Sequence, residues 1–430
     1  MNIDLRSELE LLGRLVEGGK RKGGPRLGGT GARVGCLGFD ATGQYLAVGL
    51  AEHAPRVLVF EVATGKRRAS FRLGHTYDGV FFQQDLEEEP DAAYLGVFAP
   101  FSCAFSPDGG WFAVQHANQN SGDVVDVNLQ VFERARGTLA LGVGPRDAEG
   151  KSKALGVSAY GWIGGGAGVA VASFDGGISV WQLVPRATVK VIERPRDREV
   201  PPVLAITGDD AGGRLALVRA GAIELRDFGG SGGVGGSGGV GSGGGRGEAR
   251  RIALGVDPAS AGHVAMRFVG DEVVIAWAEG ARATTLRVDV GSGEVRREDL
   301  VLRPTRREAR GEATAEERVE GHVEGHVEGH VEERVLGAAL IDAEGKSVLW
   351  EVERSEAGRV SRRLVRQRFG EARGRSVRRG RALEGEGALA VSPNGLLVAR
   401  ALSRRVVIRR VRARSGEAPA PDAAGDARDG

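Results

Sequence analysis

Cysteine, methionine and aromatic residues are scarce in this chain. Its 430 residues include two cysteines, two methionines and an aromatic fraction of 5%. Two cysteines provide no disulfide framework and fit a reducing compartment. The sequence contains no run of about 18 apolar residues, so no membrane-spanning helix is predicted. The formal net charge is only +2, which gives the whole molecule no strong preference for an anionic partner.

The first residues lack the pattern of an export signal. Asp4, Arg6, Glu8 and Glu10 interrupt the apolar core that a signal peptide needs. A cytoplasmic location is therefore expected. The excess of arginine over lysine, together with abundant Ala and Gly, suggests a GC-rich bacterial genome.

Glycine, in contrast, is abundant at 70 residues. The sequence CAFSPDGGWFAV, from Cys103, shows how glycine is used: an alternating apolar run, a Ser-Pro-Asp-Gly turn and a second apolar run. Pro107 presets the backbone for a tight turn, Asp108 can bond its own backbone, and Gly109 accepts a positive φ. This pattern predicts a β-hairpin.

The same hairpin pattern recurs along the chain, which indicates internal repeats. Further copies begin at Cys36, Gly156, Leu204, Ala265, Gly337 and Leu389. Most copies are followed by a third alternating segment, such as RVLVFEVATGK or GISVWQLVPRA, and some by a fourth, such as TVKVIER. Seven repeats of four short strands are typical of a β-propeller.

Between about Arg33 and Arg412, the chain resembles the WD40 family of propellers. The resemblance rests on FSPDG at 105–109, VSPNG at 391–395 and SVWQL at 179–183. The Trp-Asp dipeptide of that family is replaced by Phe-Glu or Trp-Gln. The resemblance implies an all-β propeller with seven blades of four-stranded antiparallel sheets, although a count of six stays open.

The expected organisation has three parts. Residues 1–32 form an N-terminal segment, 33–414 the propeller, and 415–430 a disordered tail rich in Pro, Ala, Asp and Gly. An N-terminal strand is expected to complete the last blade. Leu9–Val16 is the candidate strand, and a short helix with Leu5, Leu9, Leu12 and Val16 on one face is the alternative.

Insertions at 74–100, 229–247 and 301–334 interrupt the repeats. The 229–247 segment contains 13 glycines in 19 residues, and it is expected to be a flexible loop between the third and fourth strands of a blade. The other two insertions connect consecutive blades. With 115–126, expected to be a loop between second and third strands, and the connection from Gly370, they place four elaborated loops on one face of the disc.

That face is predicted to bind another protein, because long loops on a rigid scaffold commonly carry binding residues. Aromatic and arginine side chains are the usual interface anchors. The candidate partner-binding residues are Tyr77, Phe81, Phe82, His116, Asn118, Arg375, Arg378, Arg379 and Arg381.

Within 301–334, the sequence VEGHVEGHVEGHVE repeats histidine every four residues. A helix would stack His322, His326 and His330 at a spacing that can hold a metal ion. The intervening glycines, however, would each cost a helix about 1 kcal/mol relative to alanine. A solvated loop is therefore expected, with no metal site and no cofactor.

The segment 354–412 contains 17 arginines against 4 acidic residues. Such an excess can attract nucleic acid, but aromatic residues for base stacking are nearly missing here. Arginines on exposed strands that protect against aggregation are the preferred interpretation. Cys36 and Cys103, on equivalent inner strands, are interpreted as inert packing residues.

No catalytic motif is recognisable, so the predicted function is a non-catalytic, monomeric protein-interaction scaffold that binds neither membranes nor nucleic acid. Two alternatives stay open. One is a propeller hydrolase or lyase with a metal bound in the channel. The other is a binder of nucleic acid or another acidic polymer through 354–412.

Overall fold

The computed structural model describes residues 2–4, 33–51, 56–77, 80–82, 98–119, 125–144, 154–183, 188–193, 201–227, 249–261, 264–279, 282–300, 331–341, 344–356, 359–370, 375–376, 388–402 and 405–410. Two 3-10 turns, Gly164–Gly166 and Pro258–Ser260, accompany the strands. The strands of the described residues are β1 (Asn2–Asp4), β2 (Arg33–Phe39), β3 (Tyr45–Ala51), β4 (Arg56–Glu61), β5 (Arg67–Arg72), β6 (His75–Tyr77), β7 (Val80–Phe82), β8 (Phe98–Phe105), β9 (Trp111–Gln119), β10 (Val125–Glu133), β11 (Leu139–Val143), β12 (Ala154–Ile163), β13 (Gly168–Ser173), β14 (Ile178–Gln182), β15 (Thr188–Glu193), β16 (Ala205–Gly208), β17 (Arg214–Arg219), β18 (Ala222–Asp227), β19 (Arg250–Ala253), β20 (Val264–Val269), β21 (Glu272–Glu279), β22 (Arg282–Asp289), β23 (Val295–Asp299), β24 (Val331–Ile341), β25 (Ser347–Glu356), β26 (Arg359–Arg368), β27 (Arg375–Ser376), β28 (Leu389–Val391), β29 (Leu397–Leu402) and β30 (Arg405–Arg410).

The strands form groups of four that follow the repeats predicted from the sequence. In chain order, the groups are β2–β5, β8–β11, β12–β15, β16–β19, β20–β23, β24–β27 and finally β28–β30 with β1. We number these groups one to seven. Within each group, consecutive strands pair antiparallel. Groups two and three are also joined into one larger sheet, because β10 pairs in parallel with the start of β12. This mixed pairing differs from the expectation of separate, purely antiparallel sheets.

Burial changes from strand to strand across a group. The second strands, such as β17 and β21, are buried on both faces because their sequences RLALVR and EVVIAWAE are nearly continuous in apolar residues. The fourth strands are more exposed, and those of groups one, four and five carry two or three arginines each. Groups one, four and five are therefore sheets with two apolar faces and a charged outer edge.

The core consists of clusters that lie between groups. Six clusters each join two consecutive groups, from one and two to six and seven. One further cluster joins group one to group seven, and it includes Leu46, Phe60, Ala399 and Val406. Apolar packing thus continues from the last group of the described chain to the first.

Among the described residues, the hairpins between first and second strands of groups one, two, four and seven share one turn geometry. Its first residue is a buried polar side chain that accepts a hydrogen bond from the backbone N–H five residues later. In group one, Asp40 accepts from Tyr45 at 2.8 Å, and in group two Ser106 accepts from Trp111 at 2.9 Å. The glycine three residues after the first position has a positive φ of 69° at Gly109. The turn chemistry predicted from the sequence is confirmed at these sites.

In group four, the same position is held by Asp209, which accepts from the backbone of Gly213 at 2.8 Å and of Arg214 at 3.0 Å. The Arg214 guanidinium also donates to Asp209 at 2.9 Å and to Asp271 of group five at 2.9 Å. Burial by itself raises the pKa of Asp209, but the hydrogen bonds outweigh it and hold that pKa below the ordinary 3.8. Arg214 therefore links group four to group five, because its guanidinium contacts Asp209 in one and Asp271 in the other.

An N-terminal strand pairs with the last group, but it is not the predicted one. Asn2, Ile3 and Asp4 pair antiparallel with Val407, Val406 and Arg405. The candidate strand Leu9–Val16 lies outside the described residues, as does the tail 415–430. A three-residue strand has too short a pattern to be recognised in a sequence.

The strand bounds also place the insertions. The glycine-rich segment lies between β18 and β19, the third and fourth strands of group four, as predicted. The interval after β23 ends earlier than expected, because β24 begins at Val331 and includes the last residues of the 301–334 insertion. Among the described residues, no helix has the length and apolar character needed to cross a membrane.

Removal of β1 tests its pairing with β30. Deleting residues 1–4 should lower the free energy of unfolding by roughly 1–3 kcal/mol, because the backbone hydrogen bonds along β30 lose their partners. Urea unfolding followed by circular dichroism measures this change. Deleting residues 415–430 is the control and should change stability by less than about 0.5 kcal/mol. Equal effects of the two deletions would contradict the pairing.

The lowered pKa of Asp209 predicts a pH-dependent stability. Asp209→Asn should cost about 1–2 kcal/mol at neutral pH, because the charged hydrogen bonds are lost. A depressed folded-state pKa contributes stability above the unfolded value near 3.8. The difference from the wild type should therefore shrink as the pH falls through that value and below. Urea unfolding across a pH series measures it, with the exposed neighbour Asp210→Asn as control. A pH-independent difference would refute the ionic explanation.

Candidate functional site

The connection between groups one and two contains a small hairpin with three of the predicted anchors. In this hairpin, β6 and β7 pair so that Tyr77 faces Val80, Thr76 faces Phe81 and His75 faces Phe82. The sequence analysis placed these aromatic residues in a loop. The structure instead places them on two short paired strands, which fixes their spacing relative to one another.

A buried side chain holds the start of this hairpin. Gln130, in β10, is fully buried. Its amide nitrogen donates to the carbonyl oxygen of Gly74 at 2.7 Å, and its amide oxygen accepts from the Gly74 N–H at 3.3 Å. Strand β6 also contacts β11 of the same group. The hairpin is therefore attached to group two by a two-point amide contact.

The polar segment 115–126 is not a loop at its ends, which corrects the prediction. Strand β9 continues to Gln119 and β10 begins at Val125, so that only 120–124 separates them. His116 faces Asn128 across these strands and is fully buried. His116 therefore cannot act as an exposed anchor. Asn118 pairs with Asp126 on one side and with Phe98 on the other.

Buried polar side chains are concentrated in this extension of group two. Gln115, His116, Asp126 and Asn128 are each at most 6% exposed. The amide nitrogen of Gln115 donates to the carbonyl oxygen of Val157 in group three at 2.9 Å. Burying polar groups costs free energy unless they are hydrogen-bonded, so the Gln115 amide favours one position of this extension relative to group three.

The sequence did contain a signal for this extension. Val125, Val127, Leu129 and Val131 alternate with polar residues, which is the period of a strand. The predicted loop 115–126 nevertheless included Val125 and Asp126, the first two residues of this strand. Since the strand is buried on both faces, polarity alone misplaced its start.

Phe101 is an exposed aromatic residue that the sequence analysis did not select. It lies in β8 where the register with β9 shifts between Pro100 and Ser102, and it is 49% exposed. A bulge of this kind redirects a side chain. Phe101 therefore becomes a further candidate anchor on group two.

The predicted arginine anchors belong to a different part of the molecule. Arg375 pairs with Arg366 as part of β27, the fourth strand of group six, so it is not in a loop. Arg378, Arg379 and Arg381 lie outside the described residues, as do the histidines of the VEGH repeat. In the described residues, no group of three or more His, Cys, Asp or Glu side chains could hold a metal ion.

Several arginines of the 354–412 segment form ion pairs between or within strands and are not simply exposed to solvent. Arg400, in β29, is 1% exposed and forms an ion pair with Glu351 of group six. Arg362 contacts the same Glu351 at 3.7 Å and Glu353 at 2.9 Å, and Arg334 contacts Glu353 at 3.0 Å. The interpretation of these arginines as residues on solvent faces is therefore wrong for Arg362 and Arg400. Two glutamates just before the segment neutralise part of its charge.

The Arg400–Glu351 pair predicts a large effect of losing one partner. Glu351→Gln should destabilise the protein by about 3 kcal/mol, because it leaves a buried guanidinium without its counter-charge. Glu344→Gln is the matched control: its ion pair with Lys346 is exposed, and its loss should cost less than about 1 kcal/mol. Urea unfolding at neutral pH compares the two. Equal costs would show that Arg400 does not depend on Glu351.

Comparison with known proteins supports the fold. No protein-family model matches the sequence, and no curated protein matches it. The solved β-propeller domain of Cps50 (Swd1) from Myceliophteria thermophila is similar to the chain, with a TM-score of 0.50 and 14% sequence identity over 88% of this chain and 98% of that domain. The chain has a β-propeller fold. A solved mitotic checkpoint complex also matches, with a TM-score of 0.46 and 12% identity over 88% of this chain and 89% of the matched chain.

At these identities, the likeness concerns the propeller fold and carries over no residue roles. The resemblance to WD40 propellers inferred from the turn sequences is confirmed at the level of fold.

Proposed function

We propose that the chain is a non-catalytic protein-interaction scaffold, built as a closed propeller of seven blades. The seven groups correspond to the blades, with β1 completing the last one. The cluster that joins groups one and seven supports closure. The partner is another protein, and the scaffold acts as a monomer in the cytoplasm of a bacterial cell.

The proposed docking surface is the end of group two that carries the hairpin β6–β7 and the extension of β9 and β10. The observation that carries the proposal is the attachment of the hairpin through Gln130. An insertion with three aromatic residues, fixed to the scaffold at its base, presents anchors with little loss of conformational freedom on binding.

Two other features support a binding role for this end of the molecule. The extension is a paired part of β9 and β10 with buried polar side chains, and Gln115 connects it to group three. Phe101, exposed on β8 of the same group, adds a large apolar side chain. Asn118 remains a candidate contact at this end. Arg375, Arg378, Arg379 and Arg381 remain candidates on group six.

Substitution of the aromatic residues tests this proposal. Phe81→Ala combined with Phe82→Ala should reduce capture of the partner at least about tenfold, since a buried aromatic anchor contributes roughly 2 kcal/mol. Phe101→Ala should weaken capture as well. The measurement is affinity capture from the native cell, followed by titration of the captured protein against each purified variant.

Three controls make the result interpretable. Val189→Ala with Val191→Ala removes two exposed apolar side chains from β15 and should leave affinity unchanged. Replacing the glycine-rich 229–247 segment by a short turn should also leave capture unchanged, since glycine offers no anchoring side chain. Circular dichroism and thermal unfolding exclude misfolding. Loss of capture in the controls, with none in the aromatic variants, would show that the docking surface is elsewhere.

A further inference from the structure

The only two cysteines of the chain, Cys36 and Cys103, lie close together in the structure. Cys36 lies in β2 and Cys103 in β8, the first strands of groups one and two, and these two strands pack directly against each other, with the two thiols close enough to interact. A buried residue touches about 6–12 others, so a second cysteine placed at random would contact Cys36 in roughly 1–3% of cases. The contact is therefore a specific feature of this pair rather than an expected consequence of packing.

Two glycines provide the space that the thiols occupy. Gly49, which pairs with Cys36 across β2 and β3, would place a Cβ atom 2.4 Å from the Cys36 Sγ. Gly38 would place a Cβ atom 2.6 Å from the backbone oxygen of Cys103 and 3.3 Å from its Sγ. Since neither position accepts a larger residue without movement, β2, β3 and β8 approach closely around the two sulfur atoms.

The surroundings of Cys103 raise the pKa of its thiol, which keeps that thiol protonated at neutral pH. The hydrogen bond with Cys36, then burial, then the proximity of the second sulfur raise the pKa of Cys103 well above the ordinary 9.0. Burial likewise raises the pKa of the nearby Tyr160 hydroxyl, which lies 3.2 Å from the Ser102 hydroxyl. Cys36 is 4% exposed, whereas Cys103 is partly exposed, which gives a small reagent a route to the pair.

We propose that Cys36 and Cys103 are a modification site, at which a two-electron oxidant of the peroxide class forms an intramolecular disulfide between β2 and β8. One sulfur, as thiolate, attacks a peroxide oxygen; the O–O bond breaks, and a sulfenic acid and water result. The second sulfur then attacks the sulfenic sulfur, the S–S bond forms and a second water leaves. The two thiols together lose two electrons and two protons, and the peroxide gains both.

The disulfide would join groups one and two covalently at their first strands. The loop that it closes contains β3 to β7, including the hairpin β6–β7. Constraining a loop of this length in the unfolded chain stabilises the fold, which predicts a rise of roughly 5 °C in the midpoint of thermal unfolding. This expectation holds whether or not the hairpin binds a partner.

The experiment uses the folded, full-length, reduced protein and hydrogen peroxide. Mass spectrometry of the unreduced product should show the loss of two hydrogen masses from the monomer, and thiol titration after denaturation should fall from two per chain to none. A reductant should restore both thiols. The rate of disulfide formation should still increase between about pH 8 and about pH 9. The nucleophile is the thiolate, and the raised pKa of Cys103 keeps that thiol mostly protonated at pH 8.

Cys36→Ser and Cys103→Ser are the matched controls, since neither can form the bond and neither should gain thermal stability on oxidation. The proposal is overturned if the folded protein retains both thiols under conditions that oxidise the urea-unfolded chain. Disulfide-linked dimers as the main product, or over-oxidation of single cysteines without an S–S bond, would overturn it as well.

Discussion

The fold depends on the fact that each four-stranded group has two apolar faces, and a single sheet cannot bury either of them. The second strands show this most clearly, because β17 and β21 are buried on both sides. Every group therefore needs a neighbour on each face. For groups one and seven, this requirement is met when they pack against each other, as Leu46 and Val406 do within one cluster. The arrangement of the core as clusters between consecutive groups follows from that requirement.

Apolar packing alone would allow neighbouring groups to slide, and buried polar contacts fix their position. Gln130 binds both backbone groups of Gly74, which follows the last strand of group one. Gln367 has the equivalent role in group six: it accepts from the Trp350 indole at 2.9 Å and donates to the Asp299 carbonyl oxygen, at the end of group five, at 3.3 Å. Each glutamine lies on a third strand and reaches back to the preceding group. A shifted register would leave these buried amides without partners, at a cost of about 1–3 kcal/mol each.

The sequence predicted the repeats well because two local signals coincide in them. Alternating apolar residues mark the strands, and a polar residue followed three positions later by glycine marks the turn, as at Ser106 and Gly109. Three features were not predictable from local patterns. Strand β1 is too short to show a period, the start of β10 is masked by buried polar residues, and Arg400 is buried by pairing with a glutamate 49 positions away. Each of these depends on a contact that is distant in sequence.

These constraints explain why one end of group two is suited to an insertion. The group is tied to group three by parallel pairing of β10 with β12 and by Gln115, and to group one by the Gln130 contact and the two cysteines. A hairpin inserted at this place begins at a residue, Gly74, that the Gln130 amide already holds. The glycine-rich insertion lies instead between β18 and β19, at the outer edge of group four. Because glycine has no side chain that could anchor a partner, the composition of this insertion differs from that of the aromatic hairpin.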